Sequence, residues 1–311
     1  MFCDPRNRKY SRAAESEGKI MKKIAIVTNF NISDKANAAL KVTNYLLKFG
    51  CKILVSQYSK ERVLAMKNYR GNIYFLPIEK LYDEADLVIA LGGDGTILDC
   101  AKRMAKRGKP ILGINLGHLG YMAEIEMDEL ASLSKIIDGD YTIDERSMMN
   151  VEVFDKEGHS KYTSYALNDA VISNGGVSKI INLELYAEDS LITTYRSDGL
   201  IISTPTGSTA YAMSAGGSIA DPKVKCTLVT PICPHSFIAR QLIFSDETKL
   251  TIKNVSVRVK LLVLTLDGKT NCDIYRDEYF TVSKSDLTVK LVRIKDCSFY
   301  DILNQKMKNN Y

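Results

Sequence analysis

The sequence contains no apolar run close to the roughly 18 residues that a membrane-crossing helix requires. Its strongest runs, such as Leu87 to Leu91 and Leu261 to Leu264, have the length of strands, so we expect a soluble, cytoplasmic protein without a membrane partner. No Cys-x-x-Cys pair occurs among Cys3, Cys51, Cys100, Cys226, Cys233, Cys272 and Cys297. The pattern therefore predicts buried thiols in a reducing compartment rather than structural zinc or a disulfide framework. Glycine (19) and proline (7) are too scarce for a low-complexity chain. No strong charge excess is present either: 42 Lys and Arg against 37 Asp and Glu leave +5, which suits an anionic small molecule and falls short of a nucleic-acid footprint. Residues 1–20 carry Arg6, Arg8, Lys9 and Arg12 but lack the apolar core of a secretory signal. Because Met21 directly precedes Lys22 to Val27, which reads as a buried first strand, residues 1–20 are expected to be a disordered, dispensable extension.

What remains is an ordinary globular composition, 45% hydrophobic and 25% charged over 311 residues, enough for two domains. From Met21 onward, short apolar runs alternate with amphipathic stretches, as a parallel sheet with crossover helices requires. Strands are predicted at Ile24 to Thr28, Lys52 to Gln57, Ile73 to Leu76, Leu87 to Leu91 and Ile111 to Ile114. Between the first two, a helix is predicted, with Ser33-Asp34 as its cap, an apolar face from Ala39 to Phe49 and Gly50 as its stop. Beyond about Asn150, helical periodicity fades and β-rich runs follow: Val151 to Phe154, Ser164 to Ser173, Ile180 to Ala187, Leu200 to Ser203, Val257 to Leu266 and Leu287 to Val292. A last helix is expected from Phe299 to Lys308. The predicted architecture is an α/β domain over 21–146, completed by 296–311, and an all-β, sandwich-like domain over 147–295.

Three motifs carry chemical potential. In the first, the apolar strand Leu87 to Leu91 runs into Gly92-Gly93-Asp94-Gly95-Thr96 and then a predicted helix, Thr96 to Arg107. Glycines between a strand and a helix start let backbone N–H groups approach an anion. Neither a Walker loop nor the G-x-G-x-x-G fingerprint is present here. A carboxylate among phosphates would be repelled unless Asp94 held Mg²⁺ or accepted a proton from an attacking hydroxyl; the alternative is a turn in which it binds local amides. The second motif, Asp198-Gly-Leu-Ile-Ile-Ser-Thr204-Pro-Thr206-Gly-Ser208-Thr209-Ala210-Tyr211, is a strand entering a hydroxyl-rich loop, suited to a phosphorylated or polyhydroxylated ligand or else a plain β-turn. The third, Asn168-Asp169, places two polar residues in an apolar run. Strand neighbours face opposite ways, so an edge opening into a cleft would accommodate both, as would a turn. His118, in the loop Gly117 to Tyr121, touches either substrate or its own turn, and His235 is read as structural. Lys102, Arg103, Lys106, Arg107 and Lys109 read as the solvated face and C-terminal end of a helix.

Taken together, Gly92 to Thr96, Asn168-Asp169, Arg196-Ser-Asp198-Gly199 leading to Tyr211, Thr230-Pro-Ile-Cys-Pro-His235-Ser and the closing Arg293 to Phe299 resemble the ordered motif series of bacterial-type NAD kinases. The resemblance implies transfer of the ATP γ-phosphoryl group to the 2′-hydroxyl of the adenosine ribose of NAD, giving NADP, with Mg²⁺ or another divalent metal. It implies that Asp94 is the base, that Gly92, Gly93, Gly95 and Thr96 line the site, and that Asn168 and Asp169 contact the dinucleotide. Arg196 and Asp198 would contact NAD partly across a subunit boundary of a homodimer or homotetramer. Thr209, Ala210, Tyr211 and Ser214 fall in the family's binding loop, and Cys233 at a ligand-contacting position. No metal ligands are assigned. Two departures stand out: Asp169 replaces the commoner Glu and is shorter by one methylene, and Cys233 replaces the usual Ala. Two rivals share the turn or the fold, a lipid kinase of the diacylglycerol type and a non-catalytic NAD or NADP sensor.

Overall fold

The computed structural model describes residues 21–309 apart from 68, 70, 71, 118, 119, 176–179, 237, 238 and 260. The expected extension 1–20 and His118 lie outside the described residues. The first half is built on five parallel strands, β1 (Lys23–Val27), β2 (Lys52–Ser56), β3 (Ile73–Leu76), β4 (Leu87–Leu91) and β5 (Pro110–Asn115), in the order β3-β2-β1-β4-β5. Their central members are apolar on both faces because helices cover both sides. Among these helices are α1 (Ser33–Leu47), α2 (Lys60–Leu64), α3 (Ile78–Glu84) and α4 (Asp94–Ala105). Strand positions agree with the predicted runs to within a residue. The α1 cap does not: Ile32 occupies the cap position without a side-chain hydrogen bond, and Ser33 is already inside the helix.

After the two-residue strand β6 (Ile125–Glu126) and the short helix α5 (Ser134–Ile137), the chain becomes β-rich. Its strands are β7 (Thr142–Phe154), β8 (Ser160–Ala166), β9 (Asp169–Ser173), β10 (Ile181–Ala187), β11 (Ser190–Ser197), β12 (Gly199–Ser203), β13 (Cys226–Ile232), β14 (Leu242–Ser245), β15 (Leu250–Asn254), β16 (Leu261–Leu266), β17 (Thr270–Tyr275) and β18 (Tyr279–Arg293). A short helix, α6 (Tyr211–Ser214), follows the hydroxyl-rich loop, and α7 (Phe299–Asn309) ends the described chain. The predicted run Ser164 to Ser173 is two strands broken at Leu167-Asn168, and the run from Val257 begins as a strand only at Leu261.

A six-stranded antiparallel sheet, β14-β13-β12-β9-β16-β17, faces the antiparallel part of the other sheet across a core that includes Val151, Ile172, Leu183, Ile202, Leu264 and Phe280. This is sheet-on-sheet packing, as the alternating patterns require. The long strand β18 joins the halves: its start pairs antiparallel with β15 through Tyr279 to Val282, and its end pairs parallel with β5 at Lys290 and Leu291. A register shift against β7 between Lys284 and Thr288 lies between these two pairings, where the extra twist of a bulge is useful. Among the described residues no helix is long and apolar enough to cross a membrane. Cys51, Cys100 and Cys226 are buried free thiols as predicted, whereas Cys233 and Cys297 are exposed.

Candidate active site

β4 is buried along its whole length and delivers the chain to Gly92 and Gly93, after which α4 begins at Asp94 rather than at Thr96. Gly93 is an extended N-cap with no side chain to cap the helix, so the first turn presents backbone donors and the positive end of the helix dipole. The Asp94 carboxylate accepts hydrogen bonds from the Tyr121 N–H (2.9 Å, to Oδ2) and the Met122 N–H (3.1 Å, to Oδ1). These donors are remote in sequence, so Asp94 pins the loop after β5 over the glycine turn. A Cβ on Gly120 would stand 2.1 Å from Asp94 Oδ1, which accounts for glycine at that position. On Gly93 or Gly95 a Cβ would meet nothing within 4 Å, leaving open space in front of the turn.

That space lies at the reversal in strand order. From β1 the chain winds outward through β2 and β3 on one side, while β4 and β5 lie on the other, the arrangement that opens a ligand crevice beyond the strand ends. A cavity of about 610 Å³ occurs there, lined by Val27, Thr28, Asn29, Arg62, Thr96 and Asp99 among others. A larger cavity of about 720 Å³, between α1 and residues 115–128, contains none of the sequence-predicted site residues.

Asn168 forms the connection between β8 and β9, and Asp169 opens β9; both are buried, at 8% and 5% exposure. Asp267 makes this possible. Its carboxylate accepts from the N–H groups of Leu167 (3.1 Å), Asn168 (2.8 Å) and Asp169 (3.3 Å), and its own N–H donates to the Asp169 carbonyl (3.0 Å). Asp267 and Gly268 both adopt positive φ, +50° and +69°, in the tight β16–β17 turn. The Asn168 carboxamide oxygen is buried without a hydrogen-bond partner, a state costing about 1–3 kcal/mol unless a ligand supplies a donor. Burial, reinforced by the Asp267 charge, pushes the Asp169 carboxyl up to about 7. Gly207 backs onto this corner, since a Cβ there would stand 1.9 Å from the Asn168 carbonyl oxygen.

Several loop hydroxyls serve the loop itself. Thr204 Oγ1 donates to the Leu167 carbonyl and accepts from the Gly207 N–H (3.1 Å), Ser208 Oγ donates to the Pro205 carbonyl (2.6 Å), and Thr209 Oγ1 donates to the Thr206 carbonyl (3.2 Å). Thr209 and Ala210 are half-buried, while Tyr211 and Ser214 are exposed. A chain of polar contacts connects this loop to the glycine turn. Beyond the Asp94–Met122 bond, the Met122 carbonyl accepts from Arg293 (3.4 Å), Arg293 donates to Asp144 (3.0 Å), and Arg146 bridges Asp144 (2.7 Å) and Thr206 Oγ1 (3.4 Å). Arg146 is nearly fully buried, so that pairing offsets the cost of taking its charge out of water.

Arg196, Asp198 and Cys233 lie elsewhere. They cluster with His235 at the opposite end of β12: the His235 N–H donates to the Arg196 carbonyl (2.8 Å), and His235 Nε2 is 3.8 Å from Asp198 Oδ1. About 20 Å of strand separates Asp198 from Thr204, at roughly 3.3 Å per residue. The sequence-predicted site residues thus fall into two groups at the two ends of one strand.

The donor set around Asp94 does not form a metal cage. Among the described residues no three His, Cys, Asp or Glu side chains converge, and each Asp94 oxygen already accepts one amide. Such a site suits a cation carried mainly by nucleotide phosphates, the usual situation for Mg²⁺.

Sequence reasoning missed Asp267 and read Lys102 as part of a solvated helix face. Lys102, on α4, reaches Asp267 (3.6 Å), and Lys269 of the same turn pairs with Asp99 of α4, so the glycine-turn helix grips the hairpin that shapes Asn168-Asp169. Asp-Gly at a hairpin turn was the available signal. The basic run is more engaged than predicted: Arg103 and Arg107 pair with Glu79, and Arg107 with Asp83 (2.6 Å), all across to α3.

The chain matches the family described as ATP-NAD kinase N-terminal domain over residues 24–141 and that described as ATP-NAD kinase C-terminal domain over residues 167–294. It is 37% identical over 289 residues to the NAD kinase of Caldanaerobacter subterraneus subsp. tengcongensis, covering 92% of this chain and 99% of that protein. It is 39% identical over 239 residues to the NAD kinase of Carboxydothermus hydrogenoformans, covering 76% and 85%. In structure it is similar to yeast NADH kinase complexed with NADH (TM-score 0.85, 25% identity, 94% and 89% covered). An NAD kinase from Archaeoglobus fulgidus in complex with ATP shares the fold (TM-score 0.69, 22% identity, 92% and 98% covered). With its α/β half, its antiparallel β half and these relatives, the chain belongs to the NAD kinase family of enzymes.

Proposed function

We propose that the chain transfers the γ-phosphoryl group of ATP to the 2′-hydroxyl of the adenosine ribose of NAD, producing NADP and ADP, with Asp94 as the general base. The observation that carries this reading is the placement of Asp94. It is held by two amides at the start of α4, beside glycines that face open space and a cavity at the strand-order reversal. A carboxylate oxygen with one amide donor retains a lone pair for the ribose hydroxyl, and the α4 N-terminus with its glycines receives the ATP phosphates. Asn168 offers its unpartnered oxygen to a donor on the dinucleotide, and Asp169 accepts from a ribose hydroxyl. Gly92, Gly93, Gly95 and Thr96 line the phosphate side; Thr209, Ala210, Tyr211 and Ser214 line the dinucleotide side.

A divalent ion bound with ATP neutralises phosphate oxygens. The protein's share is alignment of the hydroxyl with the γ-phosphorus and removal of its proton. Because Arg196, Asp198 and Cys233 lie at the far end of β12, they serve the site of a neighbouring copy in a homodimer or homotetramer.

The test is to incubate purified protein with ATP, Mg²⁺ and NAD and to read NADP with an NADP-specific dehydrogenase. Sustained NADP formation is expected. Dinucleotide binding without NADP formation would favour the sensor reading, and failure to bind any dinucleotide would sink both.

A further inference from the structure

The last described helix returns to the glycine turn. Tyr300, near the start of α7, donates its hydroxyl to Asp221 Oδ2 (2.6 Å), beyond the hydroxyl-rich loop. Phe299 lies 6.3 Å, ring centroid to centroid, from Tyr121. At the other end of α7, the Lys306 ammonium sits over the Tyr121 ring, 3.9 Å from its centroid. The same Tyr121 donates its backbone N–H to Asp94. One residue therefore ties down the carboxylate with its main chain and carries a cation on its ring.

Lys306 is half-buried, and among the described residues its ammonium makes no ion pair. Burial lowers its pKa, and the Asp94 charge opposes that shift, so the two groups share one electrostatic environment. Cation–π contact compensates a desolvated ammonium only in part. An anion between Lys306 and the glycine turn would complete the compensation, and a compact lysine charge is a common phosphate partner.

We propose that Lys306 contacts the phosphoryl group in transfer, balancing its negative charge from γ-phosphate of ATP to 2′-phosphate of NADP. This rests on the kinase reading above. In the step, the ribose 2′-oxygen forms a bond to the γ-phosphorus, and the bond from that phosphorus to the β,γ-bridging oxygen breaks. The electron pair leaves on ADP, and the hydroxyl proton passes to Asp94. Lys306 keeps its proton throughout and donates hydrogen bonds to the phosphoryl oxygens, an interaction that strengthens as charge redistributes.

The test compares Lys306→Met, which keeps an apolar stem on Tyr121 without the charge, with Lys306→Arg, which restores a cation. Turnover, KM for NAD, and equilibrium binding of NAD and NADP are measured beside the wild type. Lys306→Met is expected to lose at least about tenfold in kcat and in NADP affinity, with KM and affinity for NAD within about twofold and with recovery in Lys306→Arg. A kcat and NADP affinity within twofold of wild type would overturn the proposal. So would parallel losses of NAD and NADP binding that Lys306→Arg does not repair, which identify a purely structural strap. If Lys306→Met does not fold, Lys306→Arg and Lys306→Gln are compared: similar NADP affinities would overturn the proposal, and a deficit confined to Gln would support it. A wild type that makes no NADP contradicts the kinase reading itself, a result separable from any difference among variants.

Discussion

Asp94 and Asp169 are two carboxylates of the same candidate site in contrasting surroundings. Asp94 stands at a helix start and receives two backbone N–H groups. Asp169 is buried beside Asp267, and among the described residues no donor reaches its carboxylate, so burial and the neighbouring charge push it up to about 7. Asp267 explains the difference, because it accepts the three amides of residues 167–169 and leaves none for Asp169. Asp94 thereby has two amide partners, whereas Asp169 is balanced between neutral and ionised near physiological pH.

The severest way to break this contrast is Gly120→Ala. Its Cβ would stand 2.1 Å from Asp94 Oδ1, so either the carboxylate or the pinned loop must move. Displacements of about 1 Å at reacting groups cost about a hundredfold in rate, and kcat is expected to fall by at least that factor while NAD affinity, measured by titration, changes little.

Next in size is Asp267→Asn. The substitution keeps one oxygen for the Asn168 and Asp169 amides, turns an NH₂ toward the Leu167 N–H and loses the ion pair with Lys102. A lost bond leaving a buried group unsatisfied costs about 1–3 kcal/mol, to be read from denaturant unfolding. With the neighbouring charge gone, the Asp169 titration moves toward the ordinary carboxylate range.

A smaller effect sharpens the comparison through pH. Asp169 titrates near 7 when folded against 3.8 for the unperturbed group. Between these values the folded chain holds a proton that the unfolded chain has released, so this group's contribution to stability is fully present below 3.8 and is lost as pH rises toward 7. Asp169→Asn should therefore gain stability relative to wild type over that interval, seen as a widening Tm difference. In the wild type, KM for NAD is expected to fall as pH rises from 6 to 8, because the ionised carboxylate is a stronger acceptor for a ribose hydroxyl than the neutral acid. Asp169→Asn should flatten that profile, and Asp267→Asn should move it to lower pH.

Legibility in the sequence followed the range of the interactions. The runs that became β1 to β5 were readable because strands covered on both faces are continuously apolar, and Gly92 to Gly95 because glycines between strand and helix have few other uses. The sharing of β18 between β5 and β15 was not readable, since strand pairing across 180 residues leaves no local mark. The break at Leu167-Asn168 was read as part of a strand for a similar reason: the carboxylate that permits it lies about 100 residues away, at Asp267. Nothing local marks Lys306, because the ring it sits over, Tyr121, lies far away in the sequence and is reached only when α7 folds back. The separation of Arg196 and Asp198 from Thr204 was implicit in β12, because five strand residues have a fixed length.

Asp94→Asn tests the central claim most directly, with turnover and NAD affinity measured on the same preparation. The side chain retains one acceptor for Tyr121 or Met122 but cannot take the hydroxyl proton, so an unfolding curve is recorded beside the kinetics. The account predicts a folded protein that binds NAD within about threefold of wild type and turns over at least about a hundredfold more slowly, the lower range for loss of a general base. Turnover close to wild type in that variant would contradict the role assigned to Asp94.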